Sequence, residues 1–263
     1  PTSKTTYINF QHSIDMNPIQ KLRFLHRAWG YRLRQERREI AMLLKTLSPG
    51  DTAVDIGAHK GAYTWWLRRA VGPKGKVIAF EPQPELADYL RNAAKGFRLA
   101  NVEVVNAALS ATPGKMQLYR PDGQVSPGAT MLPGIHGMGE QAIDVEVQSL
   151  DHYFRHHGGQ PVRFIKCDAE GHELQVLHGC RRIMAQDQPV LLLECVDFLN
   201  EGGVQRVFEY LQQYGYDGFY FQGSQLTSVR KLQQTHRDSS SVDFAYNFIF
   251  AHRRVSSQLR RAA

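Results

Sequence analysis

From Thr52 onward the chain alternates short apolar runs with longer amphipathic stretches, and this restricts its fold more than any other feature. Thr52 to Ile56 reads as a buried strand, Tyr63 to Val71 as a helix, Lys76 to Phe80 as a strand, Glu85 to Lys95 as a helix and Val102 to Asn106 as a strand. The alternation resumes with Val162 to Cys167, Glu173 to Met184, Val190 to Cys195 and Val204 to Tyr214. Strands separated by helices of this length form right-handed βαβ units, so a doubly wound, mostly parallel sheet in an α/β, Rossmann-like fold is predicted. Gly218 to Phe221 and Phe244 to Ala251 look like an antiparallel pair that closes the sheet.

Three segments fall outside this rhythm. From Pro18 to Leu47, apolar residues recur at three- and four-residue steps, the mark of a long amphipathic helix with room for one break. Ser48-Pro49-Gly50-Asp51 stops it. Met116 to Tyr119 and Ile143 to Val147 read as two strands around the Gly- and Pro-rich stretch Pro121 to Glu140, a hairpin insertion or lid. The expected organisation is a helical extension over 1–50, a main domain over 51–252 with its insertion at about 114–153, and a basic tail over 253–263.

With 263 residues one substantial core is affordable. The net charge of +7 raises the question of a polyanionic partner, but the basic clusters lie near the ends: Arg32, Arg34, Arg37 and Arg38, then Arg253, Arg254, Arg260 and Arg261. A solvated helix face and tail explain them, and nucleic acid is not the expected partner. Cys167, Cys180 and Cys195 cannot all pair with one another, and there is no C-x-x-C, so reduced thiols in a cytoplasmic protein are expected. No apolar stretch reaches membrane-spanning length. The first residue is Pro1 and not Met, which leaves room for a removed leading segment.

The most informative local pattern is Val54-Asp55-Ile56-Gly57-Ala58-His59-Lys60-Gly61-Ala62-Tyr63, a strand running through a glycine-bearing turn into a helix. Glycine there permits unusual backbone angles and a close approach of a ligand to the main chain. Asp55 at the strand end can order the turn or meet a cationic ligand. A pyrophosphate-binding turn needs G-x-G-x-x-G, and the middle glycine is missing, which disfavours NAD and FAD and suits a nucleoside without phosphates, such as S-adenosylmethionine. Phe80-Glu81-Pro82 ends the next strand in an acid about 25 residues on, near the ~20-residue offset of a ribose-binding carboxylate. Asn106, Ala107 and Ala108 end the third strand with small groups that either leave room for adenine or pack in the core.

Taken together, these motifs resemble the FkbM family of methyltransferases, through Asp55-Ile56-Gly57-Ala58-His59-Lys60-Gly61, Phe80-Glu81-Pro82, Ala108-Leu109-Ser110 and above all Ile165-Lys166-Cys167-Asp168-Ala169-Glu170-Gly171-His172-Glu173-Leu174. The resemblance runs roughly from Asp51 to Cys195, and departs from the family pattern in having His59 in place of Asn and Cys167 in place of a bulky apolar residue. It implies a class I methyltransferase fold, S-adenosyl-L-methionine as methyl donor, and O-methylation of a sugar or natural-product hydroxyl. The expected cofactor contacts are Asp55, Gly57, Ala58, His59, Gly61, Tyr63, Glu81, Pro82, Asn106, Ala107, Ala108 and Asp168.

Methyl transfer to a hydroxyl requires alignment and removal of one proton. Asp168, Glu170 and His172, just beyond a strand end, are the catalytic candidates, with helix capping as the competing role for Glu170 and His172. No third well-spaced metal ligand is evident, although Glu194 could supply one or bind substrate. Lys166 reads as structural, and the Trp29 and Leu33 face of the first helix as core packing, with a homo-oligomer contact as the alternative. A nicotinamide oxidoreductase, a non-catalytic nucleoside-binding protein of the same fold and a nucleic-acid methyltransferase are the competing readings.

Overall fold

The computed structural model describes residues 16–195, 202–230 and 247–256. The expected positions Phe244, Arg260 and Arg261, with most of the tail, lie outside the described residues. The N-terminal segment is α1 (Pro18–Gly30), a π-helical turn over Tyr31–Gln35 and α2 (Arg37–Thr46). The long helix is thus broken once, at Glu36, whose φ of −119° and ψ of 40° are not helical. Asn17 starts α1 by accepting the Gln20 N–H while Gln20 reaches back to the Asn17 N–H, a reciprocal capping box.

The main domain follows with β1 (Thr52–Ile56), α3 (Ala62–Val71), β2 (Lys76–Phe80), α4 (Pro84–Gly96), β3 (Val102–Val105) and the short β4 (Ala108–Leu109). Next come β5 (Gly114–Arg120), β6 (Gln141–Gln148), α5 (Leu150–His157), β7 (Val162–Asp168), α6 (Glu173–His178) and α7 (Arg181–Gln186). The last elements are β8 (Val190–Glu194), α8 (Gly203–Gln213), β9 (Tyr216–Gln222), β10 (Gln225–Ser228) and β11 (Asn247–His252). The stretch expected as one helix from Glu173 to Met184 is two. Gly179 lies so close to the Ser110 carbonyl that a Cβ would sit 2.2 Å from it, and the chain bends there.

Eight strands form the main sheet in the order β10-β9-β11-β8-β7-β1-β2-β3, parallel from β8 to β3 and antiparallel through β11, β9 and β10. The strand β10 was not anticipated. A second sheet, β4-β6-β5, carries the insertion as an antiparallel hairpin of β5 and β6. Residues alternate between the two faces of the main sheet, as the pleat requires. Ala53, Val77, Phe164 and Leu192 pack with Ile40, Leu43, Trp66 and Leu67 of α2 and α3, while Val54, Ile78, Ile165 and Leu191 pack with Leu150, Val176, Met184 and Phe208 from the other side. Among the described residues no helix is long and apolar enough to cross a membrane.

This order creates a switch point. After β1 the chain winds outward through β2 and β3, then returns to the other side of β1 with β7 and β8. A crevice opens beyond the carboxyl ends of the paired strands β1 and β7, the place where open α/β sheets bind ligands.

Candidate active site

A cleft with a cavity volume of about 230 Å³ occupies that crevice. Its first wall is the glycine turn. Gly57 adopts φ +70°, and a Cβ added to it would lie 2.0 Å from the Asp168 carbonyl oxygen, so the close approach of β1 to β7 admits no side chain. The Gly57 and Ala58 N–H groups both donate to the Phe80 carbonyl, at 3.0 and 3.1 Å, and lock the turn to the end of β2.

Glu81 emerges from that strand end, 2 % exposed. One carboxylate oxygen accepts the His59 N–H at 2.7 Å and the other the Gln83 N–H at 2.9 Å. Each oxygen keeps a free lone pair, so the carboxylate can receive two hydroxyls. Burial raises its pKa to about 7. Ala107, Ala108, Leu109, Phe80 and Pro82 line the adjoining wall, a slot between small and apolar groups.

Asp55, fully buried at the end of β1, accepts the Thr64 hydroxyl at 2.5 Å through Oδ2, while its Oδ1 has no hydrogen-bond partner among the described residues. The same holds for Nε2 of His59. Burial, reinforced by the charges of Lys60 and Arg27, lowers the His59 pKa to about 4, so the imidazole is neutral. Two orphaned buried polar atoms in one cleft are the expected sign of a ligand-binding surface.

The far end of the cleft is ionic. Lys166 and Asp168 stand two residues apart on β7 and share a face of the strand, with Lys166 Nζ 2.9 Å from Asp168 Oδ2. Burial opposes the lysine's charge, but Asp168, Asp55 and Glu194 outweigh it and its pKa is raised. Lys166 also lies 5.4 Å from the Tyr63 ring centroid. Glu194, in register with Asp168 across β7 and β8, and Glu170 both line the cleft. Burial and then the charge of Asp168 raise Glu194 to about 8 and Glu170 to about 7.

Two further elements close the cleft. From the N-terminal segment come Arg27, Tyr31 and Glu36, the last accepting hydrogen bonds from the Tyr63 hydroxyl and the Asn247 amide, each at 2.8 Å. From the insertion come Leu118, Pro127, Ala129 and Met131. Gln83 holds this loop with two hydrogen bonds, donating to the Ser126 carbonyl at 2.8 Å and accepting the Ser126 N–H at 3.1 Å. The Thr130 hydroxyl donates to the Glu170 carbonyl at 2.6 Å, tying the loop to the segment after β7.

Of the candidates read from sequence, Asp55, Gly57, Ala58, His59, Tyr63, Glu81, Pro82, Ala107, Ala108, Asp168 and Glu170 line the cleft. Three do not. His172 is buried with its Nε2 2.9 Å from Ser110 Oγ, burial lowers its pKa to about 4 so that the imidazole is neutral, and its side chain does not reach the cleft lining. Asn106 turns its amide onto the Glu81 and Pro82 carbonyls at 2.9 and 3.0 Å and shapes the acid loop. Gly61 starts α3 at φ +77°, where a Cβ would press on Leu90 and Phe24. Lys166, read as structural, is instead the buried cation of the site. Arg27, Tyr31 and Glu36 also line the cleft, and sequence spacing carries no trace of such contacts between distant segments; Lys60 and Gln83 line it from within or beside the motifs themselves, where their neighbours alone were singled out.

The parallel sheet, the glycine turn, the acid after β2 and the crevice at the switch point define the class of fold, that of the class I methyltransferases. Comparison with known proteins specifies the family. The chain belongs to the FkbM methyltransferase domain family, whose model matches residues 55–217. It is 30 % identical over 156 residues to the methyltransferase sdnD of Sordaria araneosa, covering 48 % of this chain and 59 % of that protein. In fold it is similar to the methyltransferase FkbM of Methylobacillus flagellatus KT, with a TM-score of 0.50 and 14 % identity over 90 % of this chain and 56 % of that one. It is also similar to an O-methyltransferase from Bacillus cereus in complex with SAH, with a TM-score of 0.51 and 15 % identity over 90 % of this chain and 92 % of that one. The chain thus spans somewhat more than half the length of sdnD and of the Methylobacillus protein.

Proposed function

We propose that this chain transfers a methyl group from S-adenosylmethionine to a hydroxyl oxygen of a small-molecule acceptor, a sugar or a natural product. The observation that carries this reading is the polarity of the cleft, with the Glu81 carboxylate held by two backbone N–H groups at one end and two carboxylates of raised pKa around a buried ion pair at the other.

Glu81 would hold the ribose hydroxyls, and Ala107, Ala108 and Pro82 the adenine. The Gly57 to His59 turn and Asp55 would meet the methionine end, where the unpartnered Asp55 Oδ1 suits an ammonium group. When bound, the cofactor supplies an electrophilic methyl group on a sulfonium. The chain's own residues must present an oxygen in line with it and take the proton that the oxygen loses. Asp168 is engaged by Lys166, so it orients. The side-chain carboxylates of Glu194 and Glu170 have no hydrogen bond or ion pair among the described residues, and of the two Glu194, in register with Asp168, is the proposed proton acceptor. The insertion loop over the cleft excludes water and selects the acceptor.

The reading agrees with the chain's likeness in fold to the O-methyltransferase from Bacillus cereus. It is tested by incubating the protein with methyl-labelled donor and a panel of sugar and polyketide hydroxyl compounds, with ribosomal RNA as a separate arm. Label in a hydroxyl compound supports it, and label in RNA alone would overturn it.

A further inference from the structure

The outward face of α1 is apolar where a surface helix is ordinarily polar. Ile19, Leu22, Trp29 and Leu33 are 63 %, 67 %, 47 % and 59 % exposed. They follow one another at helical spacing, with exposed His26 filling the gap between Leu22 and Trp29, and so form one stripe. It lies opposite the face that packs on the domain, where Phe24 and Ala28 are buried. The sequence suggested that Trp29 and Leu33 pack in the core. Instead Trp29 meets Trp66 only edge-on, at 5.0 Å, and Leu33 is mostly open.

The charge around the stripe has one sign. Residues 18–46 hold eight lysines and arginines against two acids. Of the two acids, Glu36 is bonded to Tyr63 and Asn247 in the cleft, and Glu39 is half-buried in a groove beside Arg34 and Arg38, which outnumber it there together with Arg37. Arg23, Arg34, Arg37 and Arg38 are exposed. A groove beside the stripe, lined by Leu22, Arg23, His26, Arg34 and the cleft residues Arg27 and Tyr31, runs from the apolar face to the mouth of the active site.

An apolar stripe flanked by exposed cations fits a surface that is apolar beneath and anionic above. A second copy of this chain would bring like charges together beside the stripe. An anionic lipid bilayer offers both complements, acyl chains for Ile19, Leu22, Trp29 and Leu33 and head groups for the arginines. We propose that α1 and the turn after it dock this protein in the plane of an anionic bilayer, with the mouth of the cleft beside the lipid surface. This does not depend on the acceptor's chemistry.

The test is flotation of the full chain with vesicles of phosphatidylcholine alone and of phosphatidylcholine with phosphatidylglycerol, at low and high salt. Leu22→Glu combined with Leu33→Glu provides the comparison, with S-adenosylhomocysteine binding as the check that the variant is folded; should it fail that check, Leu22→Ser with Leu33→Ser replaces it. The expected result is flotation with the anionic vesicles only, weakened by salt and by at least about tenfold in the double variant, the loss of even one leucine-sized contact. Absence of flotation at low salt would overturn the proposal. So would equal flotation of the folded variant, which would leave only loose charge attraction. Self-association that the double variant abolishes, without vesicle binding, would assign the stripe to a second copy.

Discussion

At the scale of single residues, the cleft is governed by carboxylates whose environments differ. Asp168 has a cation 2.9 Å away, Glu81 has two backbone N–H donors, and Glu194 and Glu170 have neither among the described residues. Burial therefore pushes Glu194 to about 8. A base with such a pKa must be ionised to accept a proton, and a sulfonium bound in the same cleft favours the ionised form. Turnover is expected to rise with pH to a plateau at or below about 8. Glu194→Gln should remove that rise and slow turnover by roughly 10²- to 10⁴-fold while leaving S-adenosylhomocysteine affinity within about threefold of wild type. An unchanged pH profile in Glu194→Gln would show that the proton leaves by another route. Glu81 and Gly57 were legible in the sequence because each is fixed by its distance from a strand end. Lys166 was not, because a lysine inside an apolar run looks like a strand residue until the neighbouring strand sets Asp55 beside it in register. His172 misled because its position in the motif says nothing of the direction its ring takes.

At the scale of elements, the βαβ core was readable from periodicity alone, since each strand and helix buries a face whose spacing is written locally. What was not readable is the way separate elements meet over the cleft. Glu36 bonds Tyr63, 27 residues away, and Asn247, 211 residues away, and the insertion loop is held by Gln83, 43 residues from Ser126. Such pairs leave no periodic trace. The break between α1 and α2 falls at Glu36, where the carboxylate leaves the helix to take its two partners. Gln83→Ala removes both hydrogen bonds to the Ser126 backbone, each contributing about 1 kcal/mol. It is expected to raise the acceptor KM by roughly three- to thirtyfold with a smaller effect on thermal stability. Steady-state kinetics on a labelled acceptor would check it, and an unchanged KM would mean the loop does not bear on substrate.

At the scale of the molecule, the site leaves a mark on stability. Glu81, Glu170 and Glu173 are raised to about 7 and Glu194 to about 8, each first by burial. A carboxyl whose pKa is higher folded than unfolded binds its proton more tightly in the native state, so its contribution is complete at low pH and is lost as pH rises through the folded pKa. His59 and His172, lowered to about 4 by burial, act in the opposite sense, and their contribution fades as pH falls below the unfolded value of 6.5. Between pH 8 and 6.5 only the carboxyls work, and the melting temperature of the ligand-free protein should rise by at least about 3 °C across that interval. A flat or falling melting temperature there, followed by differential scanning calorimetry, would contradict the burial of these acids.

The claim on which the rest depends is that the crevice beyond the carboxyl ends of β1 and β7 holds an adenosyl sulfonium. Isothermal titration of the purified chain with S-adenosylhomocysteine, and separately with NAD, addresses it directly. The expected result is saturable one-to-one binding of S-adenosylhomocysteine, weakened by about 10²-fold in Glu81→Ala through the loss of two hydrogen bonds to a charged acceptor, with no heat from NAD. Binding of NAD by a folded protein that gives no heat with S-adenosylhomocysteine would contradict it.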